Sequence, residues 1–199
     1  AWKNERGNLG TAYGYQMANK VRLRKLPNGE EKHLNQTEYV LHELVHNPSS
    51  RRIMTTLWDV DDLDDMTLEP CVWATHWTVH GGKLNLHVKQ RSGDSALGIP
   101  YNILQYSVLH SYIAKFVGLE KGDMYWNVDN FHVYERHIPK LQEQIDRYRE
   151  HVPNYLTYKP LELIFPENWD DSNFFNNRLS EARIEGYTYI DKYKFEIAI

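Results

Sequence analysis

The one cysteine of the chain, Cys71, is the first candidate for chemistry. A thiolate is a strong nucleophile, and a cationic neighbour favours the thiolate over the thiol. Arg91 and the pair Arg51 and Arg52 are the cationic candidates for that neighbour. A lone cysteine is about as often a small buried hydrophobe, so Cys71 by itself leaves both interpretations open.

A second group of functional side chains lies within residues 90–102. Arg91, Ser92 and two glycines precede a predicted helix, and such a group can bind a phosphate through a guanidinium fork and a hydroxyl. Asn102 has the donor and the acceptor that recognise an amide-like base edge. Singly, Arg91 could be a surface charge and Asn102 a helix cap, but together these explanations are less attractive.

The sequence HELVH at residues 42–46 matches the zinc motif H-E-x-x-H on a predicted helix. Two histidines one turn apart can hold zinc while the glutamate acts as a base. However, no G-x-x-H follows, because Pro48 ends the helix at once. We therefore interpret His42 and His46 as surface residues beside an apolar stripe, and we expect no metal site.

The elements that must position these residues follow from hydrophobic periodicity. Strands and helices occur in clusters without a regular βαβ period, so we predict an α+β fold. A glycine-punctuated loop opens the chain at residues 7–14. Three helices are predicted, at 36–46, at 101–117 and from Pro139 to Pro153. The second of them is predicted to be buried on most faces and to end at Gly118. The predicted strands are 52–59, a hairpin of 71–80 and 84–90 about Gly81 and Gly82, 124–134, and two near 155–164 and 188–199.

Composition limits the class of protein. The 199 residues, with a formal net charge of -4 and 41% hydrophobic residues, fit a single domain over 1–199. The absence of a basic block gives no reason to expect DNA or membrane binding, and no apolar stretch could span a bilayer. The first residues do not resemble a signal peptide, and a single cysteine cannot form an internal disulfide. We expect a cytoplasmic protein.

Six ordered motifs resemble the thymidylate synthase family, in the branch from bacilli and their phages. They are GTAYGYQ (10–16), NPSSRR (47–52), LEPC (68–71), QRSGDSALGIPYN (90–102), HVYERH (132–137) and FEIAI (195–199). The resemblance implies a cytoplasmic homodimeric methyltransferase of nucleotide biosynthesis, with a large mixed β-sheet packed with helices and one sheet face at the dimer interface. Its reaction is the reductive methylation of dUMP to dTMP with the folate cosubstrate 5,10-methylenetetrahydrofolate, producing dihydrofolate.

The resemblance also implies roles for individual residues, carried over by matching position. Cys71 is the nucleophile that adds to C6 of the pyrimidine, and Asp94 and Asn102 complete the catalytic group. The residues implied to bind dUMP are Arg91 and Ser92 on the phosphate, Arg51 and Arg52 on the neighbouring subunit's phosphate, His132 and Tyr134 on the ribose, and Asn102 on the base. The residues implied to bind folate are Asp94, Gly98 and the terminal carboxylate of Ile199; no metal is implied.

Several positions depart from the family pattern. Val72 stands where most members have histidine, and Met17 and Lys20 stand where most have tryptophan. Ala1 also aligns well inside the family domain. The family's catalytic glutamate and the arginine of its flexible loop would lie upstream, so we expect the N-terminal portion of the family domain to be absent from this chain.

Two other interpretations stay open. A pyrimidine-nucleotide 5-hydroxymethylase shares the fold but lets water capture the exocyclic methylene, and residues 126–128 before His132 resemble that subfamily somewhat. A catalytically incomplete fragment serving as a dimerisation or RNA-binding module is the other alternative. Asn102 favours uracil over cytosine, because a dCMP-specific member would be expected to have Asp there.

Overall fold

The computed structural model describes residues 9–26, 28–151, 161–187 and 192–197. The chain divides into two compact units, one drawn from Ala1–Gly93 and Tyr112–Phe131 and the other from Asp94–Ser111 and His132–Ile199. The α-helices of the described residues are α1 (Tyr13–Ala18), α2 (Gln36–His46), α3 (Gly98–Phe116) and α4 (Ile138–His151). The strands of the same residues are β1 (Arg22–Lys25), β2 (Glu31–Leu34), β3 (Met54–Thr56), β4 (Val72–His80), β5 (Lys83–Asp94), β6 (Glu120–His132), β7 (Glu162–Ile164) and β8 (Arg183–Glu185).

The principal sheet has the strand order β3-β4-β5-β6. Strands β3, β4 and β5 are antiparallel neighbours, and β4 and β5 form the predicted hairpin. Its turn is Gly81 and Gly82, both with positive φ, which only glycine adopts at little cost. Contacts between β5 and β6 advance in the same direction along both strands, from Gly82 with Glu120 to Gln90 with Trp126. The sheet is therefore mixed, and α3 is the crossover that parallel strands require.

The predicted alternation of β5 places its apolar residues in the core. Leu84, Leu86 and Val88 are fully buried, and Trp77 lies opposite Leu86 on β4. The Trp77 indole N–H is satisfied within this core, because it donates to the Thr75 hydroxyl at 3.0 Å. Burial of these side chains fixes the register, since a slip of one residue would turn the apolar set to the other face.

The first helix, α1, begins three residues after Gly10, a position where the backbone requires glycine. Gly10 has φ +75° and forms an isolated bridge with Met66, and a Cβ there would overlap the carbonyl oxygen of Asp65. The Thr11 hydroxyl also donates to the Asp62 carbonyl at 3.0 Å. These contacts hold the start of α1, and hence Tyr13, against the loop that leads to Cys71.

Much of the predicted α+β architecture is confirmed. Helix α2 has the predicted bounds and begins with a capping box between Asn35 and Glu38. Helix α3 begins three residues earlier than predicted and ends near Gly118, which has φ +70°. Helix α4 is confirmed, and strand β6 starts four residues earlier than predicted. Within the described residues, no helix is long and apolar enough to cross a membrane.

Other predictions were wrong. The strand predicted over 52–59 is shorter than expected and consists of β3 alone. The loop predicted at 7–14 contains the start of α1, a helix too short for hydrophobic periodicity to reveal. The hairpin of β1 and β2 was missed because its strands are largely charged and exposed. Helix α3 is not buried on most faces: Tyr101 is 68% exposed.

The tail also differs from the prediction. The described end of the segment predicted near 155–164 is β7, which pairs with β8, a strand that was not predicted. Of the segment 188–199, residues 192–197 form no strand, and the others lie outside the described residues. Side chains hold 192–197 instead: Arg147 lies over the Tyr193 ring at 4.7 Å, and the Lys140 ammonium donates to the Lys194 carbonyl at 2.7 Å.

We predict that Gly10→Ala lowers the free energy of unfolding by about 2 kcal/mol or more, because the new Cβ meets backbone and the φ is strained. Gly14→Ala is the matched control. Gly14 is exposed within α1 and open space surrounds its Cβ position, so alanine should be neutral or stabilise by up to about 1 kcal/mol. Urea denaturation of both variants measures the difference; equal stability of the two would contradict this account of Gly10.

Candidate active site

Cys71 lies at the end of the β4–β5 ladder, one residue before β4 begins. Its thiol is free and half-buried. The register of β4 against β5 shifts between Val72 and Ala74, a β-bulge of the kind that often re-aims a side chain beside an active site. Beyond the bulge, the Arg91 N–H donates to the Cys71 carbonyl at 2.8 Å. Backbone pairing therefore fixes Cys71 beside Arg91.

The hydroxyl of Tyr13 is a neighbour of Cys71 that sequence analysis missed. It accepts a hydrogen bond from the Cys71 N–H at 2.8 Å. Burial, and next the negative charge that Cys71 can carry, raise the pKa of Tyr13 to about 12. The hydroxyl thus stays protonated near neutral pH. The motif GTAYGYQ contained Tyr13, but a local motif does not show which of its side chains reaches a cysteine 58 residues away.

The guanidinium of Arg91 lies against the backbone that precedes Cys71. Its Nε donates to the Pro70 carbonyl at 3.1 Å and one Nη donates to the Glu69 carbonyl at 3.0 Å. The Glu69 carboxylate is 3.8 Å from the same Nη, and the guanidinium lies 5.6 Å from the centre of the Trp58 ring. The other Nη makes no hydrogen bond within the described residues. One edge of the cation is thus anchored, and the remaining nitrogen is available to a ligand.

Gln90 holds the backbone at Ser92. Its amide donates to the Ser92 carbonyl at 2.7 Å, and its oxygen accepts from the Trp126 indole at 2.9 Å. Gln90 is 1% exposed, so these partners matter: a buried amide without them would destabilise the fold. Sequence analysis predicted the role of Ser92 but gave none to Gln90.

Arg51 and Arg52 lie elsewhere in the first unit, in an exposed turn after α2. The Arg52 N–H donates to the Ser50 hydroxyl at 3.2 Å, and the Tyr39 hydroxyl donates to the Arg52 carbonyl at 3.5 Å. Within the described residues, no hydrogen bond or ion pair joins either arginine to Cys71, Arg91 or Ser92. Their guanidinium groups are presented to solvent.

The second unit contains the other predicted site residues. Asp94 ends β5, and its Oδ1 accepts from the Ala96 N–H at 3.0 Å. A Cβ on Gly98, the first residue of α3, would lie 3.6 Å from the Asp94 Cβ and 4.0 Å from the Asn102 Oδ1. The structure therefore brings Asp94, Gly98 and Asn102 together, with the glycine leaving space between the two polar side chains.

His132 is the last residue of β6, and Tyr134 follows two residues later. The Ser95 N–H donates to the His132 carbonyl at 2.9 Å, and the rings of His132 and Tyr134 are perpendicular with centres 5.1 Å apart. His137, which sequence analysis quoted in a motif without a role, lies beside both groups. Its ring centre is 5.6 Å from that of Tyr134, and its Nδ1 is 3.8 Å from the Asp94 Oδ1. Ile199 lies outside the described residues.

In the described part of the chain, the H-E-x-x-H motif acquires no third ligand. The rings of His42 and His46 are 4.4 Å apart, and Glu43 is buried and accepts from the Asn47 amide. Burial lowers the pKa of His42, and the proximity of His46 lowers it further. Among the described residues, no group of three or more histidine, cysteine or acidic side chains could hold a metal ion. The absence of a metal in the intact protein stays a prediction.

The fold and the site define a class: an α+β protein with a mixed sheet whose single cysteine lies beside an arginine and a tyrosine hydroxyl. A family model for thymidylate synthase matches residues 1–199. The chain belongs to the thymidylate synthase family. It is 41% identical over 198 residues to thymidylate synthase of Bacillus licheniformis and 42% identical to thymidylate synthase 1 of Bacillus subtilis strain 168.

Structural comparison agrees with the sequence comparison. The structure of thermostable thymidylate synthase A from Bacillus subtilis matches with a TM-score of 0.82 at 40% identity. Each of the three matches covers 100% of this chain and 66% of the relative. The chain therefore spans just under two thirds of the length of these relatives.

We predict that Tyr13 contributes to a loss of stability in alkali. Its pKa is about 10 when unfolded and about 12 when folded, so between those pH values the unfolded state loses the proton first and the free energy of unfolding falls by roughly 2 kcal/mol. Tyr13→Phe should remove this part of the loss. Tyr15→Phe is the control, because Tyr15 is 39% exposed. Denaturation from pH 9 to 12 measures it, and identical profiles for the two variants would contradict the role of burial.

Proposed function

We propose that this chain carries the nucleophile and most of the dUMP-binding residues of a thymidylate synthase. The reaction is the reductive methylation of dUMP to dTMP with 5,10-methylenetetrahydrofolate, yielding dihydrofolate. The observation that carries the proposal is the constrained position of Cys71, which backbone hydrogen bonds fix between Tyr13 and Arg91. The names of the related proteins agree with this activity.

Cys71 acts as the nucleophile in this proposal. Its thiolate adds to C6 of the uracil ring, so C5 becomes an enolate-like carbon that captures the methylene group. Arg91, whose cation is held against the Pro70 and Glu69 carbonyls, pairs with Cys71 through the backbone. The hydroxyl of Tyr13 retains its proton and is a donor beside the sulfur throughout. The folate provides the carbon and the hydride that completes the methyl group.

The phosphate of dUMP binds the available edge of Arg91 and the hydroxyl of Ser92. A dianion needs several donors, and Arg91 has one Nη without a partner in the described part of the chain. Arg51 and Arg52 supply further donors to the site of a neighbouring subunit. Both are exposed, and in the described part of the chain no hydrogen bond or ion pair joins them to Arg91, which supports a role outside their own chain. The whole protein is then a homodimer whose sites need both subunits, with one sheet face at the interface.

The base and ribose of dUMP bind residues of the second unit. Asn102 donates through its amide to uracil O4 and accepts from N3–H, whereas cytosine presents the reverse pattern. A mismatched buried pair costs about 1–3 kcal/mol, so dUMP is preferred over dCMP. His132 and Tyr134 bind the ribose hydroxyl, Asp94 binds the pterin beside Gly98, and the Ile199 carboxylate helps to close the site. The chain is then a single thymidylate synthase-like domain over 1–199, in a cytoplasmic protein whose thiol stays reduced.

We predict that the complete protein forms dTMP and dihydrofolate in equal amounts from dUMP and methylenetetrahydrofolate. The absorbance rise of dihydrofolate and mass spectrometry of the nucleotide measure both products. With 5-fluoro-dUMP the reaction should stop as a covalent adduct on the peptide that contains Cys71, and Cys71→Ala should abolish both turnover and adduct. A nucleotide heavier than dTMP by one oxygen, without folate oxidation, would instead establish a hydroxymethylase.

We also predict that two inactive variants complement each other. Arg52→Ala lacks the phosphate donor that reaches the partner, and Cys71→Ala lacks the nucleophile. A hybrid dimer has one site with both residues, so mixing equal amounts should restore roughly a quarter of wild-type activity once subunits exchange randomly. Arg91→Ala mixed with Cys71→Ala is the matched control and should restore none, since both residues serve their own chain. Equal results in the two mixtures would argue against shared sites.

A further inference from the structure

The imidazole of His137 is buried among residues from three parts of the second unit: the end of β5, the 3₁₀ turn and the C-terminal segment. The side chain is 2% exposed and lies at the end of a 3₁₀ turn whose His137 N–H donates to the Tyr134 carbonyl at 2.8 Å. One ring nitrogen, Nε2, is 2.8 Å from the carbonyl oxygen of Glu196. The other nitrogen, Nδ1, is 3.8 Å from Oδ1 of Asp94. The ring edge also contacts Tyr134 and Phe195.

The Glu196 carbonyl decides where the ring carries a proton. A carbonyl oxygen only accepts, so Nε2 must donate and therefore bears hydrogen. Nδ1 then faces the carboxylate of Asp94 and has no hydrogen-bond partner among the described residues. A separation of 3.8 Å is too long for a direct hydrogen bond, and a bare Nδ1 and a carboxylate oxygen both only accept. The link between them is therefore a water that donates one hydrogen to each.

The same geometry determines which oxygen of Asp94 remains for a ligand. Oδ1 already accepts from the Ala96 N–H and faces His137. Oδ2 makes no hydrogen bond within the described residues. A carboxylate whose first oxygen is held by a backbone N–H and by a water shared with the imidazole presents its second oxygen in one direction, as a preorganised acceptor for a ligand N–H.

We propose that His137 is a positioning residue that couples the orientation of Asp94 to the docking of the C-terminal segment 192–197. Nε2–H binds this segment through the Glu196 carbonyl, while Nδ1 orients Asp94 so that Oδ2 receives the folate. The inference rests on the proposed function for the identity of the ligand. The coupling itself rests only on the contacts of His137 with Asp94, Phe195 and Glu196.

Three replacements of His137 distinguish the polar role of its ring nitrogens from the packing role of its ring. His137→Phe keeps an aromatic ring against Tyr134 and Phe195 but removes both nitrogens. His137→Gln keeps a donor near the position of Nε2, and His137→Asn keeps a polar group near that of Nδ1. His33→Phe, in the exposed strand β2, is the control for a histidine change elsewhere.

In the complete protein, His137→Phe should raise the KM for methylenetetrahydrofolate about tenfold, the effect of losing one hydrogen bond to a charged group, and change the KM for dUMP less than twofold. Hydrogen–deuterium exchange of residues 192–197 should be faster in His137→Phe and partly restored in His137→Gln. His137→Asn should restore the KM but leave exchange fast. His33→Phe should match wild type in both measurements.

The coupling would be overturned if His137→Phe left both the folate KM and the hydrogen–deuterium exchange unchanged. It would also be overturned if both KM values rose equally and exchange was fast in all three variants, because that result indicates a packing role. If wild type forms no dTMP, the proposed function fails. The coupling is then decided by exchange in the variants and by the ¹⁵N shifts of the His137 ring: an Nδ1–H, Nε2-bare tautomer would refute it. If His137→Phe does not fold, the Gln and Asn variants carry the same comparison.

Discussion

The hydrogen bond from the Arg91 N–H to the Cys71 carbonyl is the contact on which the rest of the candidate site depends. It continues the pairing of β4 with β5 past the bulge at Trp73, so the cysteine is held by backbone geometry and not by its own side chain. The register that makes this contact possible is set far away, by the Gly81–Gly82 turn and by burial of Leu84, Leu86 and Val88. Core packing therefore places Cys71.

Polar side chains, together with the sheet, fix the backbone of the candidate site residues. Gln90 joins the Trp126 indole to the Ser92 carbonyl, and Tyr13 accepts from the Cys71 N–H. Each of these groups would be costly to bury without its partner, so each fixes the backbone of a neighbouring site residue. In the second unit, His137 has the corresponding position between Asp94 and the C-terminal segment.

The Arg91 guanidinium is held mainly by neutral groups. The Arg91 guanidinium is anchored by two backbone carbonyls, and its ion pair with Glu69 is long and partly exposed. Neutral acceptors hold the cation without cancelling its charge, whereas a buried carboxylate in their place would have neutralised it.

Local patterns in the sequence determined the long elements. The capping box at Asn35, the apolar alternation of β5 and the glycines after β4 and α3 act within a few residues of chain, so the helices and the hairpin could be predicted. The ordered motifs also indicated the family, and with it Cys71, Arg91 and Asp94 as site residues. Tertiary structure decided the rest. Tyr13 and His137 acquire their importance from partners 58 and 59 residues away, and Phe195 and Glu196 pack on His137 where a strand was predicted. Such contacts depend on which surfaces the folded chain brings together, because a side chain's sequence neighbours do not specify its distant partner.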